Sequence, residues 1–142
     1  MKPVLLTLCS LCLVLGFSSG VCAQNAADSA ASLKPIVMIG FEKRLSDRAE
    51  TFMLQNNTDH LVTRVKLKLV YKTPNNEMID YREVIVDEEI QPHMTKQISV
   101  ESFDKNNRRY YYIHSTGGSK KSEGYPFKIS WTLLRYDIAV TP

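Results

Sequence analysis

Along most of this chain apolar side chains recur at every second position. The clearest case is VTRVKLKLVYK, residues 62–72. Val65, Leu67, Leu69 and Tyr71 share one parity there, and Arg64, Lys66, Lys68 and Lys72 share the other. Successive side chains of a strand point to opposite faces, so a period of two predicts a half-buried strand. TFMLQNNT (51–58) sets Phe52 and Leu54 on one face and ends in turn residues. PIVMIGFEKR (35–44) is an apolar run rich in branched residues. MIDYREVIVDEEI (78–90) returns after a turn built from Pro74, Asn75 and Asn76, and Pro92 and His93 punctuate its end. MTKQISV (94–100) turns Ile98 and Val100 inward, with Met94 out of phase or at a turn.

Two further segments alternate. In RRYYYIHS (108–115), Tyr111 and Ile113 take one face, expected to be the buried one. Tyr110, Tyr112 and His114 take the other. In YPFKISWTLLRYDIAV (125–140), Tyr125, Phe127, Ile129, Trp131 and Leu133 alternate inward. Leu134, Tyr136 and Ile138 then adopt the opposite parity. That switch predicts a β-bulge near Leu134 or a strand buried on both faces. The total is about seven strands, with no helical period. The predicted fold class is all-β: a single antiparallel β-sandwich of immunoglobulin-like type over residues 35–142. Trp131, the one tryptophan, is expected to anchor its core.

The first 23 residues follow a different pattern. Lys2 precedes an almost wholly apolar run from Val4 to Phe17, and Val21-Cys22-Ala23 supplies small residues for cleavage. The run is too short to span a bilayer as a helix. It reads as a secretory signal removed between Ala23 and Gln24, leaving a mature chain with no transmembrane span. Lipidation at Cys22 is the minor alternative, disfavoured by the branched Val21 before it. Residues 24–34 (QNAADSAASLK) are small and polar and read as a tether. Asp28-Ser29-Ala30 resembles a bacterial O-glycosylation motif at Ser29. All three cysteines, Cys9, Cys12 and Cys22, fall in the signal. The exported chain therefore has neither a disulfide framework nor a thiol nucleophile. The expected location is the bacterial periplasm or cell surface.

A formal charge of +3 is too balanced for a nucleic-acid binder. His60, His93 and His114 share no short ligand spacing, and Asp87-Glu88-Glu89 lacks the pattern of a calcium loop, so no metal or other cofactor is expected. Glu83 and Asp87 are instead expected to face the basic side of residues 64–72. STGGSKKS (115–122) lacks phosphate-loop spacing and is followed by Pro126 and a strand rather than a helix. No Gly-x-Ser-x-Gly occurs, and no enzymatic activity is expected. Tyr110, Tyr112 and His114, beside the cationic loop of Lys120 and Lys121, form the candidate binding surface. Cross-strand packing of the tyrosines is its competitor.

The stretch from FMLQNNTDHLVTRVKLKLVYKTPNNEMID into EEIQPHMTKQISV resembles the FxLYD-type module of exported bacterial proteins. More broadly it is similar to immunoglobulin- and fibronectin-III-like sandwiches. The resemblance covers Thr51 to Val100. Leu69-Val70-Tyr71-Lys72 stands where the family name implies Leu-Tyr-Asp, and Asn75-Asn76 replaces the usual turn glycine. It implies a sandwich fold and an envelope location, and it carries no catalytic residues. The expected function is a non-enzymatic binding module for an envelope protein or glycan. The alternative is a structural or assembly subunit of an envelope complex.

Overall fold

The computed structural model describes residues 33–115 and 123–140. The expected signal segment with Ala23, Gln24 across the expected cleavage site, Cys22 and Ser29 lie outside the described residues, as do Lys120 and Lys121. The described chain is all-β, with seven strands: β1 (Ile36–Glu42), β2 (Ala49–Asn56), β3 (Val62–Lys72), β4 (Met78–Val86), β5 (Thr95–Glu101), β6 (Tyr110–Tyr112) and β7 (Tyr125–Ile138). They form a three-stranded sheet ordered β1-β2-β5 and a four-stranded sheet ordered β4-β3-β7-β6.

The alternation in the sequence becomes the inner faces of these sheets. Val65, Leu67, Leu69 and Tyr71 of β3 are fully buried, as are Ile36, Leu54 and Phe127. Each such side chain contributes about 1.5–3 kcal/mol relative to exposure. Aromatic rings link the sheets: Phe41 of β1 meets Phe127 of β7 at 6.1 Å and Tyr112 at 5.1 Å, both edge to face. The basic outer face of β3 also lies as expected. Arg64 pairs with Asp87, and Lys66 reaches Glu83 at 2.5 Å.

Four details depart from the expectation. The pairings are antiparallel except one, since β6 runs parallel to β7. Alternation reports which face a residue occupies and is blind to strand direction. Trp131 is only half-buried and packs at the margin of the core, with Lys34 Nζ 5.4 Å from its ring centre. The anchors are instead Tyr71, Phe52 and Phe127. Tyr125 is exposed, and the face of β6 is reversed: Tyr110 and Tyr112 pack on the core while Ile113 is exposed.

Bulges set the parity of several strands, β7 and β1 among them. In β7, Lys66 pairs with Arg135 and Leu67 with Leu133, so Leu134 is the extra residue, where the sequence places it. In β1 the register shifts between Ile39 and Glu42 around Gly40, whose φ is +64°. Ile36 and Met38 face inward before this bulge, and Phe41 and Lys43 face inward after it. Without the extra residue, strict alternation would send Phe41 and Lys43 to solvent.

Candidate functional site

Where two sheets meet, a charge can stay buried only if its partners are built in. Glu50 of β2 is such a charge, with no exposed surface. Its Oε2 accepts hydrogen bonds from Tyr71 OH at 2.7 Å and Arg82 Nη2 at 2.8 Å. Its Oε1 accepts the backbone N–H of Phe103 at 2.9 Å. Arg82 Nε donates to Tyr71 OH at 2.8 Å, closing a ring of three side chains from both sheets. Burial, reinforced by the Glu50 carboxylate, pushes the Tyr71 phenol far above its ordinary range. Burial alone would lower Arg82, but Glu50 and Tyr71 outweigh it and hold the guanidinium above its usual value. The ring fixes the start of the 102–109 loop on the sheets, and Phe103 stacks on Tyr71 at 4.1 Å.

A second buried charge closes the other end of that loop. Lys43 is fully buried and donates to the carbonyls of Tyr110 at 2.7 Å and Arg44 at 3.1 Å. Asp104 Oδ2 lies 3.9 Å from its Nζ and accepts the Tyr110 N–H at 2.6 Å. Desolvation lowers Lys43 below its usual value, against the opposing pull of Asp104, Glu50 and Asp47. Ser115 Oγ accepts the Lys43 N–H and donates to its carbonyl, both at 3.0 Å.

This geometry decides how the predicted surface is arranged. Tyr110 is half-buried between Phe103 and Tyr125, at 5.5 and 5.6 Å. Tyr112 is half-buried against Phe41 and Phe127. Both tyrosines therefore serve cross-strand packing. The backbone of Tyr110, rather than its ring, meets the buried charges, while the Tyr112 N–H donates to the Lys43 carbonyl at 2.9 Å. His114 is exposed and touches the edge of Tyr112 at 5.4 Å.

The other sequence candidates are occupied locally. Asp87 pairs with Arg64, and Glu88 pairs with Lys96 at 2.6 Å. His93 Nε2 meets Asp59 at 2.7 Å. Among the described residues, no three His, Cys, Asp or Glu side chains group as metal ligands, and no helix is long and apolar enough to cross a membrane. Asn56, at the end of β2, is buried. Its amide donates to the carbonyls of His60, Ile90 and Gln91, and its Oδ1 accepts from Thr58.

An open backbone edge lies along β7. β7 pairs with β3 along its length, but β6 covers only Tyr125, Pro126 and Phe127 on the other side. Among the described residues no strand pairs with that second side from Lys128 to Ile138. Exposed Leu134, Tyr136 and Ile138 lie along it. Sequence reasoning missed this edge because strand order is not written in alternation. It missed Lys43 and Asp104 because two charges in polar-looking segments give no sign that a bulge will bury one of them. The chain matches no family model, no curated protein and no solved structure.

Proposed function

We propose that the protein is a non-enzymatic interaction module of the bacterial envelope. It is exported by its first 23 residues and built as an immunoglobulin-like sandwich of FxLYD type. It holds an extended segment of an envelope partner along the β7 edge. The observation that carries this reading is that edge, eleven residues from Lys128 to Ile138 paired on one side only among the described residues. Open N–H and C=O groups on a strand edge accept an added strand. Alternate exposed side chains, here Leu134, Tyr136 and Ile138, then supply selectivity.

A photo-crosslinker at Thr132 tests it in intact cells. Capture of an envelope protein, lost in Ile138→Lys, is the expected result. A chain that cross-links to nothing at this position removes the proposal. The same edge also favours the second reading, assembly of copies of this chain. A sedimentation coefficient independent of concentration removes that one.

A further inference from the structure

Lys43 and Asp104 have no part in the β7 edge. Among the described residues they are the most enclosed ion pair, with side-chain exposures of 0% and 3%, whereas Arg82 in the Glu50 ring is 25% exposed. An ammonium has three N–H donors, and an amine has two and a lone pair. Among the described residues, Lys43 Nζ donates to two backbone carbonyls, those of Tyr110 and Arg44. Asp104 Oδ2, at 3.9 Å, stands beyond hydrogen-bond distance. Once the ammonium has given up one proton, two carbonyls match the two donors of the amine and leave its lone pair free for attack. Burial lowers Lys43 below its usual value. The carboxyl is also prepared, because the Tyr110 N–H donates to Oδ2 at 2.6 Å. One residue, Tyr110, thus orients the amine through its carbonyl and polarises the carboxyl through its N–H.

We propose that Lys43 and Asp104 condense into an intramolecular isopeptide bond. Transfer of one proton from the Lys43 ammonium to the Asp104 carboxylate gives an amine and a carboxylic acid without any outside proton. Nζ then attacks Cγ, forming the C–N bond. Negative charge develops on Oδ2, where the Tyr110 N–H meets it. The other carboxyl oxygen leaves as water, taking its own hydrogen and one from nitrogen. Nothing is oxidised or reduced, and the products are a secondary amide and one water. Attack requires Nζ and Cγ to close to about 3–3.5 Å. Burial excludes the bulk water against which such a condensation is otherwise unfavourable. The bond would staple the end of β1 to the 102–109 loop in a domain without cysteine between residues 33 and 142.

The purified full chain, denatured and digested with trypsin, tests the proposal by mass spectrometry. The expected product is a branched peptide joining the fragment that carries Lys43 to residues 97–105. It is lighter than the two by one water, and its fragment ions place the link on both side chains. Asp104→Ala and Lys43→Met should yield only linear peptides. Complete cleavage after Lys43, with both wild-type peptides linear and unmodified, overturns it. So does a loss of water confined to the linear peptide of Asp104, which marks a cyclic imide. The wild-type digest decides the matter even if both variants fail to fold.

Discussion

Tyr71 shows how one hydroxyl can hold two sheets together. It donates to Glu50 and accepts from Arg82, so each charge keeps a partner out of water. Removing the hydroxyl in Tyr71→Phe leaves the ring packing but breaks both bonds. Hydrogen bonds to charged groups contribute roughly 1.5–3 kcal/mol, and that loss is expected in urea denaturation near neutral pH. The raised pKa of Tyr71 adds a sign that can be checked. The phenol keeps its proton in the folded chain above pH 10.0, where it loses it in the unfolded chain. Its stabilising effect is therefore fully present below that pH and is lost as pH rises beyond it. The stability gap between wild type and Tyr71→Phe should be constant from neutral pH to about pH 9 and should narrow by about pH 11. A gap that holds constant across that range would show that the phenol is not shielded. Glu50→Ala should cost more, about 3 kcal/mol, because it strands a half-buried guanidinium.

At the scale of the strand, two bulges decide what is buried. Gly40 sits at φ +64°, and a Cβ there would lie 2.9 Å from Met53 Cε. Gly40→Ala therefore meets both left-handed strain and a contact, and a loss of at least about 1–2 kcal/mol is expected in thermal or urea unfolding. Leu134 behaves differently. It is the extra residue of β7, so deleting it leaves Leu133, Tyr136 and Ile138 on the inner parity. Deleting Lys68 from β3 instead reverses half of a strand whose inner face is fully buried. Circular dichroism should show the Leu134 deletion folded and the Lys68 deletion unfolded. The Leu134 bulge was legible because the sequence breaks its own alternation there. The positions of six strands were legible for the same reason, since their apolar residues are both regular and many. β6 was misread by one residue because Tyr110, Tyr111 and Tyr112 are chemically equal, and only packing against Phe41, Phe103 and Phe127 selects a face. Gly40 was silent because a glycine in an apolar run looks the same whether flat or bulged.

Over the whole molecule, the sheet edges differ in how well they are guarded. β1 carries the Gly40 bulge, and β5 exposes Thr95, Gln97, Ser99 and Glu101. β4 places Glu83 beside Lys66. Bulges, polar side chains and charges of this kind discourage strand addition. β7 has its bulge at Leu134 and an Arg135–Asp137 pair at 2.7 Å, yet Tyr136 and Ile138 stay exposed below it. Its edge is thus selective rather than closed: a partner must follow the kink and satisfy one charge of each sign. Deleting Leu134 removes the kink while keeping the inner face. The deletion variant should self-associate at concentrations where the wild type does not, with sedimentation velocity as the measure. Adding Ile138→Lys to it should restore the wild-type profile, because a charge then meets its own copy across the paired edges. The melting temperature should move little with that second change, since Ile138 is exposed in the folded chain. If the deletion variant sediments as the wild type does, the kink is not what limits pairing at this edge.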